Sequence, residues 1–261
     1  MSIKTQRLLS RANKLLKKGQ EKEAHKIYST ILKSLPNNHE AKQGLLILDK
    51  KIEINPSKAE LDKVMHLFTS GFLKEAQFAI QLLIKNFPNE SLLFNISGAC
   101  YSEIGPVESA IDSFEKAIAL NPNYAEAHYN LGVALQKLGQ LDDAILSYNK
   151  ALICQHAYPD AHNNIGVINL ELGMIDSAIK SFEWAVAFSP EYAEAHNNLG
   201  AAFHKMNKFD AAIEQYKKAI IINPEYAKAF NNLGVACDSL ELYDEALRYY
   251  EKAKTLSILK N

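Results

Sequence analysis

The chain has 261 residues, of which 48% are hydrophobic and 23% charged, and its formal net charge is −1. This composition excludes a wholly disordered chain, and the near-neutral charge gives no global indication of binding to nucleic acid or to an anionic membrane. No apolar run approaches the roughly 18 residues of a membrane-spanning helix, so no membrane association is predicted. The three cysteines lack CxxC spacing, which favours buried thiols in a reducing, cytoplasmic compartment over a disulfide or zinc framework.

The N-terminal region is basic, with 14 Lys and Arg against 7 Asp and Glu in residues 1–63. Within residues 1–20 the apolar side chains follow the spacing of an amphipathic helix, and they are Leu8, Leu9, Ala12, Leu15 and Leu16. This helix continues directly into a second one, which argues against a transit peptide. Most bases of the chain are lysines, which solvate a helix surface rather than form forked phosphate contacts. We therefore predict a solvent-exposed basic helix face and no nucleic-acid partner.

Three segments precede the regular part of the chain. Residues 5–38 fit a two-helix hairpin, residues 39–56 have room for a single helix ending at Asn55 and Pro56, and residues 57–90 fit another hairpin. Because the alternation of paired helices is interrupted at 39–56, the sequence predicts that residues 1–56 dock differently from the segments that follow.

Residues 91–260 repeat with a period of 34 residues. With Ser91 as position 1, the units are 91–124, 125–158, 159–192, 193–226 and 227–260. Position 8 is occupied by Gly98, Gly132, Gly166, Gly200 and Gly234, and position 24 by Phe114, Tyr148, Phe182, Tyr216 and Tyr250. Positions 20 and 27 are alanine throughout, and position 32 is proline in three units, with His156 in the place of a fourth. A fixed period of this length predicts a stacked array of one supersecondary unit.

Each unit is predicted to contain two helices, here called helix A and helix B. Helix A covers positions 2–14, a break follows at glycines such as Gly139 and Gly173, and helix B begins with acidic residues, as the helix dipole favours. The small residues at positions 8, 20 and 27 permit close approach of the helix axes. The aromatic residue at position 24 is predicted to fill the space between hairpins.

This arrangement resembles the tetratricopeptide repeat, a 34-residue helix–turn–helix unit with small residues at positions 8, 20 and 27, an aromatic residue at 24 and proline at 32. The resemblance covers the five units 91–260 and implies an all-α, right-handed superhelical solenoid of antiparallel helix hairpins. It also makes 57–90 a divergent repeat and 5–38 a degenerate one, followed by the lone helix 39–56. In this family the concave groove formed by the A helices binds proteins or extended peptides.

The sequence contains no recognisable catalytic motif, since HExxH, GxGxxG, GxSxG and P-loop patterns are absent. His128, His162 and His196 recur at position 4. Packed helices lie about 8–10 Å apart and zinc–nitrogen bonds are about 2 Å long, so these histidines are not expected to form a metal ladder. We interpret them as filling a half-buried position that Phe94 and Phe230 fill in flanking units. The chain is therefore predicted to be a non-enzyme with no metal and no cofactor.

The candidate binding residues form a stripe of asparagines on helix A. Positions 2, 5, 6, 9, 12 and 13 share one face of the helix, which the family resemblance assigns to the concave groove. Position 6 carries Asn130, Asn164, Asn198 and Asn232, and position 5 carries Tyr129, Asn163, Asn197 and Asn231. An amide both donates and accepts hydrogen bonds, so this stripe can bind the backbone of an extended peptide. It resembles the asparagine ladder of the O-linked N-acetylglucosamine transferase repeat domain. The alternative is that the asparagines bond neighbouring helices or water.

If the stripe binds peptide, replacing Asn164 and Asn198 by alanine is expected to weaken binding. The melting temperature is then expected to stay the same or rise, because alanine is the better helix former. The carboxylate clamp of other tetratricopeptide proteins is not expected, because position 5 lacks the lysines that such a clamp needs.

The last helix B carries apolar residues that no following hairpin covers, namely Leu247, Tyr250, Leu256, Ile258 and Leu259. They predict either a homo-oligomer formed through this uncapped C-terminal helix or a polypeptide that continues beyond Asn261. The composition also resembles bacterial proteins in which such repeats precede a sulfotransferase or glycosyltransferase domain. We thus predict a protein- or peptide-binding scaffold, with a substrate-recruiting arm of a larger transferase and a self-assembly module as alternatives.

Overall fold

A computed structural model describes residues 3–52 and 56–258 of the chain. Within these ranges the secondary structure consists of fifteen α-helices and contains no β-strand, which confirms the predicted all-α class. None of these helices combines the length and the apolar character that a transmembrane segment requires. Two residues named in the sequence predictions, Asn55 and Leu259, lie outside the described ranges.

The chain divides into two compact units, residues 1–90 and residues 91–261. The first unit contains α1 (Ile3–Lys17), α2 (Glu21–Ser34), α3 (His39–Ile52), α4 (Lys58–Thr69) and α5 (Leu73–Asn86). Helices α1, α2 and α3 share a core that includes Leu9, Ile31 and Leu48. The ring of Tyr28 in α2 is fully buried against Gly44 of α3, where an added Cβ atom would lie within 2.5 Å of the ring. Glycine at this position therefore allows the single helix α3 to pack closely on α2.

The second unit consists of five helix hairpins. Their helices are α6 (Ser91–Ile104), α7 (Val107–Leu120), α8 (Ala125–Lys137), α9 (Leu141–Cys154), α10 (Pro159–Glu171), α11 (Ile175–Phe188), α12 (Ala193–Lys205), α13 (Phe209–Ile222), α14 (Ala227–Ser239) and α15 (Tyr243–Ile258). The two helices of each hairpin pack on each other, and each helix B packs on the helix A that follows it. From α8 onward helix A covers positions 1–13, one residue earlier than predicted, because the tyrosine at position 34 of the preceding unit serves as its N-cap residue.

The glycine at position 8 is explained by the aromatic ring of its own hairpin. A Cβ atom at Gly98, Gly132, Gly166, Gly200 or Gly234 would lie 2.5–2.7 Å from the ring at position 24 of the same repeat. Real Cβ atoms essentially never approach a ring so closely, so only glycine fits without displacement of the ring. The ring also shares a core with the following hairpin, for example Tyr148 with Ile165 and Ile168, so it fills the space between hairpins as predicted and in addition packs on the glycine of its own hairpin.

The turn between helix A and helix B has a left-handed residue at position 15 in the last four repeats. Gly139 and Gly173 adopt φ of 76°, which glycine accepts without steric strain. Asn207 and Glu241 adopt φ of 58° and 62° at the same position. The backbone N–H of the next residue bonds a helix A carbonyl in both kinds of turn, for example Gln140 to Leu135 at 3.0 Å and Leu242 to Cys237 at 2.9 Å. The same closing geometry is therefore kept whether or not glycine is present.

Candidate peptide-binding groove

A cavity of about 310 Å³ crosses the A helices of the last three repeats, α10, α12 and α14. It is lined by Val167, Leu170, Glu171, Glu194, Asn197, Asn198, Ala201, Lys205, Lys228 and Asn232. Every one of these residues occupies position 2, 5, 6, 9, 12 or 13 of its helix A. The face predicted from helical spacing is thus the face that lines the cavity.

The asparagines at positions 5 and 6 bond one another across the repeats. The Nδ2 atom of Asn130 donates to Oδ1 of Asn95 at 3.0 Å, and Asn198 donates to Asn163 at the same distance. Asn232 donates to Asn197 at 2.9 Å. In each case position 6 of one repeat donates to position 5 of the repeat before it. We call this series of hydrogen bonds the amide ladder.

The remaining rung of the amide ladder uses tyrosine in place of asparagine. Nδ2 of Asn164 donates to the hydroxyl of Tyr129 at 3.3 Å and to the hydroxyl of Tyr148 at 3.2 Å. The ring of Tyr129 stacks on Tyr158 with a centroid distance of 4.9 Å. Burial, reinforced by the charge of Asp160, raises the pKa of Tyr129, so its hydroxyl remains neutral at physiological pH and accepts the bond. The tyrosine therefore preserves the connection that asparagine makes elsewhere.

The predicted site residues differ in how far they face solvent. Asn163 and Asn197 have exposed fractions of 1% and 0%, and Asn198 has 8%. Half-buried side chains are Tyr129, Asn130, Asn164 and Asn232, and Asn231 is exposed. The stripe thus contains both buried and open members. Both kinds take part in the amide ladder, and Asn197, Asn198 and Asn232 also line the cavity.

The N-terminal ends of the A helices add an acidic and aromatic rim that the sequence analysis did not single out. Glu126, Asp160 and Glu194 stand at position 2 of three successive repeats, beside the N-cap tyrosines. Burial, followed by the charges around it, raises the pKa of Tyr158. Burial and a hydrogen bond with Asp160 raise the pKa of Tyr192. The sequence feature that could have predicted this rim is the acidic residue that recurs at position 2 of three successive repeats.

The three histidines at position 4 are buried and serve packing. Nε2 of His128 bonds the carbonyl of Pro122 at 2.9 Å, and Nε2 of His196 bonds the carbonyl of Pro190 at 3.0 Å. The structural interpretation of this column is supported by these bonds. No group of three His, Cys, Asp or Glu side chains in the described parts of the chain could hold a metal ion.

His162 lies in a different environment from the other two. The loop before it carries His156 instead of proline, and its ring stacks on Trp184 and Phe188 at centroid distances of 6.2 and 5.6 Å. Its Nε2 atom is buried without a hydrogen-bond partner. Burial lowers the pKa of His162, so its imidazole is neutral at physiological pH.

On the last helix, Leu256 is buried within the unit, so it is not one of the uncovered residues that the sequence predicted. Leu247 and Ile258 are 58% and 64% exposed. Tyr243 is also exposed, and the same face of α15 carries the exposed, charged Glu251 and Lys254 between Leu247 and Ile258.

Comparisons with known proteins agree with this architecture. A family model described as TPR repeat matches residues 101–139 and 169–207, and one described as tetratricopeptide repeat matches residues 125–156, 193–226 and 227–257. The crystal structure of MamA is 30% identical, with a TM-score of 0.58 over 62% of this chain and 95% of MamA. The chain belongs to the tetratricopeptide repeat family.

More distant structures share the fold of this tetratricopeptide repeat protein. YrrB, described as a TPR protein with an unusual peptide-binding site, is 22% identical, with a TM-score of 0.57 over 68% of this chain and 92% of YrrB. PilF of Pseudomonas aeruginosa is 17% identical, with a TM-score of 0.68 over 76% of this chain and 90% of PilF. At these identities the likeness shows the fold alone. No curated protein sequence matches the chain.

Proposed function

We propose that this tetratricopeptide repeat protein is a non-catalytic scaffold that binds an extended segment of a partner protein in the groove of residues 91–260. The cavity across α10, α12 and α14 carries the proposal, because it combines an apolar floor with polar amides. Its floor includes Val167, Leu170 and Ala201, and the half-buried Asn232 supplies an amide. Sites that recognise extended chains need both contact area for side chains and groups that bond the main chain.

The open members of the asparagine stripe are proposed to contact the peptide backbone. In this proposal Asn130, Asn164, Asn231 and Asn232, with Tyr129, face the ligand, whereas the buried Asn163, Asn197 and Asn198 hold neighbouring repeats in register. The Nδ2 atom of Asn232 is used by Asn197, which leaves its carbonyl oxygen to accept a backbone N–H. The family membership and the peptide-binding site ascribed to YrrB support this assignment.

Peptide binding in the groove is tested by filling the cavity. Peptides are selected from a random library on the wild-type protein, and their affinity is then measured for Ala201→Phe, which places a ring on the cavity floor. We expect a loss on the order of tenfold or more. The matched variant Ala119→Phe, on the exposed face of α7, is expected to bind as the wild type does.

Circular dichroism checks that a loss of binding is not caused by unfolding of the variant. Both variants are expected to keep the helical circular dichroism of the wild type. The proposal is contradicted if no peptide is enriched, or if the enriched peptides bind equally well to Ala201→Phe.

Self-assembly through α15 is a second candidate function, favoured by the exposed apolar side chains of Tyr243, Leu247 and Ile258. Light scattering on Leu247→Lys tests it, with Leu146→Lys, at an exposed leucine of α9, as the matched control. A wild-type oligomer that only Leu247→Lys dissociates supports this function, and a monomeric wild type contradicts it. No feature of the described residues favours a transferase arm, so the proposal does not extend to it.

A further inference from the structure

Four charged side chains of opposite sign surround the groove cavity. They are Glu171, Glu194, Lys205 and Lys228. None of them forms an ion pair or a hydrogen bond with another described residue. By contrast, Glu214 and Lys218 on the outer helix α13 pair at 2.7 Å, and Lys137 reaches the carbonyl of Ser102 at 3.3 Å. The cavity charges therefore remain available to a ligand.

The four charges follow a regular order. Position 2 is Glu194 in the fourth repeat and Lys228 in the fifth, and position 13 is Glu171 in the third repeat and Lys205 in the fourth. At both ends of the A helices, an acid in one repeat is thus followed by a lysine in the next. The sign of the charge changes in the same direction along both rims of the groove.

The order of the four charges determines which charges a ligand needs in order to bind favourably in the groove. A charged group that enters a partly enclosed site loses hydration, and it binds favourably only where an opposite charge compensates. A ligand of one sign would place some of its charge against lysines and some against carboxylates. A ligand with a basic group and an acidic group meets both compensating charges.

We propose that the groove selects an extended peptide that carries both a basic and an acidic side chain, about three residues apart. On each rim the basic side chain faces the glutamate, Glu171 or Glu194, and the acidic side chain faces the lysine of the next repeat, Lys205 or Lys228. The two rims lie about 16 Å apart along the helix axis, so the peptide follows one of them. The spacing follows because neighbouring packed helices lie about 8–10 Å apart and an extended chain advances about 3.3 Å per residue. This inference rests on the proposed peptide-binding function and adds charge selection to backbone recognition.

The test uses four capped peptides of identical backbone in which two positions, three residues apart, are Lys and Glu, Lys and Lys, Glu and Glu, or Gln and Gln. For the wild type we expect the Lys–Glu peptide to bind on the order of tenfold more tightly than the other three. The preference should shrink at high salt, because partly exposed charges are screened.

Two double variants should change the preference in opposite directions. Glu171→Lys with Glu194→Lys makes the groove basic, so the Glu–Glu peptide should become the best ligand. Lys205→Glu with Lys228→Glu makes it acidic, so the Lys–Lys peptide should become the best. The matched control Glu115→Lys with Glu183→Lys changes the same net charge on exposed positions of helix B and should keep the wild-type order.

The failures of the two proposals are distinguishable. If all four peptides bind the wild type equally, or none binds it, or the double variants keep the wild-type order, charge selection is wrong. The proposed function then still stands, provided that Ala201→Phe binds the library-selected peptides more weakly than the wild type does. If Ala201→Phe binds those peptides as the wild type does, the groove itself is not the binding site.

Discussion

Asn198 donates a hydrogen bond of 3.0 Å to the carbonyl oxygen of Asn163, which lies 35 residues earlier in the chain. The sequence repeats every 34 residues, so each such bond joins position 6 of one helix A to position 5 of the helix A before it. Both side chains are buried, at 8% and 1% exposed. The bond therefore fixes the offset between neighbouring repeats at a largely buried position on the groove side of the A helices.

The sequence alone predicted that alanine at Asn164 and Asn198 would leave the melting temperature unchanged or raise it. The structure reverses this expectation for Asn198→Ala, which should lower the free energy of unfolding by about 1–3 kcal/mol because it leaves the buried carbonyl of Asn163 without its donor. The gain in helix propensity, about 0.5 kcal/mol, is smaller. Urea unfolding followed by circular dichroism measures the change. The matched control is Asn231→Ala at an exposed position, which should be neutral or slightly stabilising. Equal stability of the two variants would show that the amide ladder does not hold the repeats together.

Gly166→Ala should destabilise the protein by about 1–3 kcal/mol, because its Cβ would lie 2.5 Å from the ring of Phe182. Thermal melting of the single variants and of Gly166→Ala with Phe182→Leu measures the coupling. A smaller side chain makes room for the methyl group, so the double variant should lose less than the two single losses together. Strict additivity would mean that the ring is not what requires glycine.

Glu241→Gly should stabilise the protein by about 0.5–1 kcal/mol. The left-handed conformation costs a non-glycine residue about 1–2 kcal/mol, of which part is offset by the greater freedom of glycine in the unfolded chain. The matched control is Glu245→Gly, two residues inside α15, which should destabilise by about 1 kcal/mol. Melting temperatures that shift in the same direction for both variants would contradict the assignment of strain to Glu241.

Stability should fall as the pH is lowered below about 6.5, the ordinary pKa of histidine, because burial lowers the pKa of His162. In that range the unfolded state binds the proton more readily than the folded state, so acidification favours unfolding until the folded pKa is passed. His162→Phe, which copies the residue at position 4 of the first and fifth repeats, should lose less stability on acidification. Urea unfolding of both proteins at two pH values, one on each side of this range, measures the difference. An equal loss in the two proteins would assign the pH dependence to other groups.

The period of the sequence was sufficient to predict the helices of residues 91–260 to within about one residue. Helical spacing predicted which positions share a face, and the family resemblance assigned that face to the groove. The partners within that face were beyond prediction from the pattern. Asn163 and Asn164 are adjacent in the sequence, yet one is buried as an acceptor and the other is half-buried and donates to two tyrosines. Their difference depends on how far each repeat is displaced from the last, which the repeat period alone does not specify.

The first 90 residues show a second limit of sequence patterns. Tyr28 stands at position 24 of the degenerate repeat 5–38, where the regular repeats pair the aromatic ring with a glycine of the preceding helix A. The glycine that contacts the ring of Tyr28 is Gly44, in the following helix. A glycine 16 residues before an aromatic residue and a glycine 16 residues after it give equally regular spacings in the sequence. Only the packing of the helices decides which of the two contacts the ring.

The amide ladder makes whole repeats interchangeable. Removal of residues 159–192 would bring α12 against the repeat 125–158, where Tyr129 occupies position 5. Tyr129 already accepts a hydrogen bond from Asn164, and Asn198 would stand in the same place. Loss or duplication of one complete unit within residues 125–260 therefore keeps every donor opposite an acceptor, whereas an insertion of a few residues would misalign all later rungs. Gain or loss of whole repeats in the gene can therefore change the length of the groove in steps of one repeat, while the hydrogen bonds between repeats are kept.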